Sequence, residues 1–362
     1  MTPNPNFISL QIAPTMQVDL DIHCSNETKR MVIDTARPYS WIAAGTLQCR
    51  NETAILDSWK RSFSESTLAY LEGGTTLRGY TMPWLTIPMK GPNILILDAL
   101  LAAESITVLS VAETFQNATG SFGLIPPANI SACNSLSPYT FKRNETLLDQ
   151  PAWINIAAFR DRAGILRFGA NDDLDHVTTV APDVTVPLIQ PVNPDDACSN
   201  AIKVDSITFR GTNATTYKLP PEAIIDSISR FNLVPAPIAL MIHDSYRSAG
   251  NATYARTLIS TTLFNDFGQM TIDCNATLPE YPVTINIANA SFPISHKDMI
   301  VRAKNGQCLS AFQPQWNTND TMRLGWPFLH NVGLTYMLAG NGSTVGIKAR
   351  VNKTVTPPIP VL

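Results

Sequence analysis

Short runs rich in Val, Ile, Thr and Leu recur along the chain and are broken every six to nine residues by Gly, Pro, Asn or Asp. FISLQI, QVDLDIHC, RMVIDT, NILILDALL, GILRFG, IKVDSITF, AIIDSI and PVTINIA are the clearest. Runs of this length, with β-branched residues and turn-forming ends, predict strands. The best helical segment is Ile238–Ser248, just after Pro237, and long helices are excluded by 27 prolines and 18 glycines. The most apolar stretch, Asn93 to Ala112, is interrupted by Asp98 and Glu104 and predicts buried strands, not a membrane span.

These strands form two halves that resemble one another. Val32-Ile33-Asp34-Thr35 matches Ile224-Ile225-Asp226-Ser227: two apolar residues, an Asp, then a hydroxyl. Each is followed by an apolar glycine element. Phe122-Gly123-Leu124-Ile125-Pro126 puts Gly123 89 residues after Asp34, and Leu324-Gly325-Trp326-Pro327-Phe328 puts Gly325 99 residues after Asp226. A repeat on this scale predicts two pseudo-twofold lobes with both carboxylates in the cleft between them.

The length of 362 residues suits two lobes. Hydrophobic residues make up 44% and charged residues 15%, with net charge −3, so the chain is foldable and carries no basic footprint for nucleic acid. Twelve N-x-S/T sequons occur, at Asn26, Asn51, Asn117, Asn129, Asn144, Asn213, Asn251, Asn275, Asn289, Asn319, Asn341 and Asn352. Composition alone would give about four or five, so the excess predicts a secreted glycoprotein or the extracellular domain of a cell-surface protein. Disulfides are permitted there, and six cysteines (Cys24, Cys49, Cys133, Cys198, Cys274, Cys308) allow fifteen complete pairings. The start, MTPNPNFISL, shows no signal peptide, and the proline-rich end, VTPPIPVL, leaves room for a membrane segment beyond it.

Other constellations carry little. His243-Asp244-Ser245 cannot converge as a triad from three consecutive positions. The five histidines are dispersed, no metal-ligand spacing occurs, and Asp172, Asp173, Asp175 and His176 lack a calcium-loop pattern. No nucleotide-binding motif is present. Neither a cofactor nor a metal is expected.

The chain resembles the pepsin-like aspartic proteases over nearly its whole length. M-V-I-D-T-A-R-P-Y-S-W carries Asp34 and Trp41 at the spacing of the family's first active-site strand; I-I-D-S-I-S carries Asp226 in the second. Y-L-E-G-G-T-T-L-R-G (Tyr70 to Gly79) is similar to the flap hairpin, Gly164 to Gly169 to the second-lobe entry, and Leu324 to Asn331 with Gly346-Ile347 to the closing strands. The resemblance implies an all-β, mostly antiparallel, bilobal fold. Its expected parts are an N-terminal lobe over 7–155, a connection over 156–163, a C-terminal lobe over 164–349 and a proline-rich tail over 350–362. It further implies a Cys274–Cys308 disulfide, with Cys24–Cys49 and Cys133–Cys198 as the pairing that remains open.

By the same resemblance, Asp34 and Asp226 stand at the catalytic dyad positions, where two carboxylates share one proton around a water. Tyr70, Gly74 and Thr75 stand at the substrate-covering flap, and Thr35 and Ser227 brace the two loops. The surroundings depart from the family. The glycine two after each Asp is replaced by Ala36 and Ile228, and the serine three after the first by Arg37, although Ser229 survives. Ile228 is expected to push its loop or to fill the water site. Arg37 either holds Asp34 ionised or points to solvent. Two function classes follow. One is a catalytically impaired pseudoprotease that binds a peptide, protein or carbohydrate ligand in its cleft. The other is an acid endopeptidase working through Asp34 and Asp226.

Overall fold

The computed structural model describes residues 7–22, 27–37, 40–43, 65–70, 75–82, 88–89, 95–97, 100–107, 118–125, 141–142, 152–169, 183–193, 196, 198–210, 214–218, 222–248, 256–257, 269–276, 278–303, 306–315, 321–338 and 342–350. The protein is mostly strand, in antiparallel-rich sheets, as the apolar runs predict. FISLQI and GILRFG are strands in full, whereas IKVDSITF divides into Ala201–Lys203 and Ser206–Arg210. The helix spans Ala236–Ser248 and begins two residues earlier than expected, because proline is tolerated in a first turn, where its missing N–H has no partner to lose.

Two sheets hold the Asp-bearing strands. In the N-terminal seven-stranded sheet, Glu27–Asp34 is flanked by Gln17–Ile22 and by Gly120–Gly123, with Trp41–Ala43 next. In the C-terminal five-stranded sheet, Glu222–Ile225 is flanked by Ala201–Lys203 and by Met322–Leu324, with Asn232–Pro235 next. The Asp34 strand changes character along its length. Arg30 faces Asp19 of the neighbouring strand and donates to both of its carboxylate oxygens at 2.8 and 3.0 Å in water. Met31, Val32 and Ile33 are wholly buried, as a central strand covered on both faces requires.

A third sheet joins the two halves. Its six strands run in the order Phe7–Ile12, Gly164–Gly169, Ala152–Ala157, Val332–Leu338, Thr344–Ala349, Val184–Pro187, each antiparallel to the next. Residues 156–163 are the end of one of these strands and the turn that leads to the next. One continuous apolar core runs beneath all three sheets, from Ile12, Ile33 and Phe122 through Ile154, Leu166 and Tyr336 to Ile225 and Leu324.

Cys274 and Cys308 form a disulfide, and Cys198 is disulfide-bonded as well. Cys24, Cys49 and Cys133 lie outside the described residues. Among the sequon asparagines, Asn275 and Asn289 are described and both are exposed, Asn289 in a two-residue turn where Ala288 and Asn289 have φ of 48° and 66°. No helix among the described residues is long and apolar enough to cross a membrane. From Asn93 to Ala112, the described parts are the strands Leu95–Leu97 and Leu100–Thr107.

Candidate active site

Each Asp stands where its strand ends against a parallel neighbour. Gly123 pairs with Asp34, and the Leu124 N–H donates to the Asp34 carbonyl at 2.9 Å. In the other half Leu324 pairs with Ile225, and the Asp226 N–H donates to the Leu324 carbonyl at 2.9 Å. The glycine of each pair is held by the side chain six residues after the Asp. Gly123 N–H donates to Ser40 Oγ at 3.0 Å, and Gly325 N–H to Asn232 Oδ1 at 2.9 Å. These correspondences make the pseudo-twofold symmetry explicit to the residue.

The two loops grip one another. Thr35 N–H donates to Ser227 Oγ at 2.9 Å, and Ser227 N–H to Thr35 Oγ1 at 3.0 Å. Thr35 Oγ1 then donates to the Ile225 carbonyl at 2.8 Å, and Ser227 Oγ to the Ile33 carbonyl at 2.5 Å. Each hydroxyl thus donates one hydrogen bond and accepts one, in a buried setting where a missing partner would be costly. Ala36 packs with Ala201 and Ile224 of the opposite half.

The carboxylates are not equivalent. Asp34 Oδ1 accepts from the N–H groups of Ala36 and Arg37, both at 2.9 Å, while its Oδ2 is buried with no hydrogen-bond partner. Burial raises the Asp34 pKa. Arg37's charge opposes that rise, Asp226's adds to it, and the net position is about 7. Asp34 therefore holds a proton over most of the acid range. Asp226 Oδ1 accepts from the Ile228 N–H at 3.0 Å, and its Oδ2 takes the Nη1 of Arg323 at 2.5 Å. The Nη2 of Arg323 reaches Asp196 Oδ1 at 2.6 Å, and all three side chains are almost wholly buried. A guanidinium set between two carboxylates in fork geometry fixes the positions of both and supplies their counter-charge.

Ile228 is 3% exposed, yet its N–H still reaches the carboxylate, so the loop keeps its fold without glycine. Arg37, at 6% exposed, does not point to solvent, and its charge does not keep Asp34 ionised because burial outweighs it. Ser229 Oγ donates to the Phe231 carbonyl at 2.6 Å. Tyr70 and Thr75 face one another in register at the closed end of the hairpin formed by Glu65–Tyr70 and Thr75–Met82; Gly74 lies outside the described residues.

Arg323 and Asp196 are absent from the motif reading. The signal for Arg323 is a charge within the apolar strand Met322–Leu324, two residues before Gly325. Its pseudo-twofold counterpart, two before Gly123, is Ser121, a small buried residue. Asp196 carries no comparable sign, since it is brought to Arg323 across 127 residues of chain.

The family model for eukaryotic aspartyl protease matches residues 101–347, which contain Asp226 and Arg323 but not Asp34. No curated protein matches the chain. A family match over more than half of the sequence, together with two Asp loops locked by reciprocal hydroxyl bonds, leads to one conclusion: the chain belongs to the eukaryotic aspartyl protease family.

Proposed function

We propose that this pepsin-like protein is a secreted or cell-surface glycoprotein whose proteolytic site is disabled, and that it acts by binding a peptide or protein segment in the family's cleft. The observation that carries the reading is the ion pair between Arg323 and Asp226. Peptide hydrolysis by this family's chemistry needs two carboxyls that exchange one proton through a water. With Asp226 tied to a guanidinium and Asp34 protonated up to about pH 7, the two are unequally poised and cannot readily trade roles. The twelve sequons support the extracellular setting. Carbohydrate is a further ligand class for the same cleft.

A second reading, an acid endopeptidase, draws on one observation. Both Asp loops keep their N–H bonds to the carboxylates, and Asp34 holds the proton such an enzyme would use. One experiment separates the two: cleavage of a broad peptide library from about pH 3 to about pH 7, with and without pepstatin. Native protein is expected to be silent. The triple variant Arg323→Ser, Asp196→Asn, Ile228→Gly, which gives the site the small residue of its symmetry mate, is expected to gain pepstatin-sensitive cleavage. Pepstatin-sensitive cleavage by the native chain, lost in Asp34→Asn, would establish the endopeptidase instead.

A further inference from the structure

Away from the Asp loops, at the turn of the interlobe sheet, two arginines stack on one aromatic ring. The Cζ atoms of Arg162 and Arg350 lie 4.1 and 4.5 Å from the centroid of Phe159. Arg350 is anchored by its own backbone, whose N–H donates to the Asn331 carbonyl at 3.0 Å, and by its Nη1, which donates to the Ala158 carbonyl. Its remaining edge, carrying Nε and Nη2, is buried and makes no hydrogen bond.

We propose that this edge of Arg350, with Arg162 beside it on the Phe159 ring, is a binding site for a carboxylate. The Nε–Nη2 edge of a guanidinium presents two parallel N–H groups that match the two oxygens of a carboxylate. Buried charged donors without a partner are rare, because the loss of water is not made good, and such groups commonly mark an ion or water site. Two like charges on one ring also repel, which an anion between them would relieve. Burial, and then the charge of Arg162, lower the Arg350 pKa to about 10, in keeping with a cation short of counter-charge.

The protein's own acids do not fill the role. Asp298, a buried carboxyl, is taken up by Asn331 Nδ2 at 2.8 Å, His330 Nδ1 at 3.3 Å and Arg160 at 3.9 Å. Among the described residues no carboxylate comes within ion-pair distance of Arg162 or Arg350. Arg162 is exposed and lies over the Phe159 ring, and no hydrogen bond or ion pair among the described residues holds it there, so its side chain can swing aside to admit a ligand.

The carboxylate could be a free small anion or an acidic side chain of a bound peptide, and titration of the full-length protein separates them. Sodium acetate and a short acetylated, amidated peptide with one glutamate are added at constant ionic strength, and binding is read by calorimetry and by the rise in melting temperature. Arg350→Lys, which keeps the charge but loses the paired edge, is expected to weaken binding by at least about tenfold. The exposed Arg162→Gln should weaken it several-fold, and gives the answer if the Arg350 variant does not fold. Arg30→Gln, at an exposed arginine of the N-terminal seven-stranded sheet that pairs with Asp19, should change nothing. Tighter binding of the peptide than of acetate by about tenfold or more names an acidic peptide as the source; equal binding names a free anion. No binding of either, binding indifferent to both arginine variants, or arginine-dependent binding of inorganic phosphate without acetate would each overturn the assignment.

Discussion

At the residue scale, the dyad positions are distinguished by what neutralises each charge. Asp34 is protonated because burial outweighs the help of two N–H groups and Arg37, whereas Asp226 has a guanidinium in contact. The first difference makes stability depend on pH. Unfolded, the Asp34 carboxyl ionises near 4; folded, it does so at about 7. Between those values the folded state holds a proton that the unfolded chain has lost. This group's contribution is therefore fully present below about pH 4, shrinks as the pH rises, and levels off above about pH 7. Asp34→Asn removes that slope, and urea unfolding at about pH 8 should find the variant more stable by about 2–4 kcal/mol, with no gain near pH 4. The second difference makes stability depend on Arg323 as long as both of its carboxylate partners are present. Arg323→Met leaves two buried carboxylates unpaired and should cost about 3–5 kcal/mol in the same assay, part of which Asp196→Asn restores.

At the scale of elements, both Asp loops depend on close backbone crossings. A Cβ on Gly325 would clash with the carbonyl oxygens of Phe231 and Ser229, and one on Gly120 with that of Trp41; none of these backbone atoms can rotate away. Gly325→Ala should lower stability by about 3 kcal/mol and disturb the neighbouring Asp226 loop, seen as a changed environment for Trp326, whose Nε1 donates to the Ser227 carbonyl at 2.7 Å. Gly325 was legible in the sequence, with Gly123 as its counterpart, because each follows its Asp at a similar distance in a similar apolar context; Gly120 was not. The hydroxyls of Thr35 and Ser227 were legible too. What Ile228 does was not legible from its bulk: the loop requires only its N–H, which every residue but proline supplies.

At the scale of the whole molecule, the hydroxyl grip and the six-stranded sheet both join the halves, beside the apolar core they share. The motifs point to the first. The second is unreadable from local pattern, because Phe7–Ile12 pairs with Gly164–Gly169 and Ala152–Ala157 with Val332–Leu338, and no turn signal connects partners so distant in sequence. The Cys274–Cys308 bridge closes a loop of 34 residues within the C-terminal half. Replacing both cysteines by serine should cost about 4 kcal/mol, measured as a lower urea midpoint.

The six-stranded sheet also dictates a timetable. A chain leaving the ribosome can build the strands around Asp34 from what has already emerged, but Ala152–Ala157 must wait until Val332–Leu338 exists, and the outer strand Val184–Pro187 until Thr344–Ala349 does. Until the chain has been made from Gly169 through to Val332–Leu338, the hairpin of Ala152–Ala157 and Gly164–Gly169 presents an open edge. A newborn molecule is thus exposed to mispairing until Val332–Leu338 arrives, and truncation before Val332 leaves that edge unsealed for good.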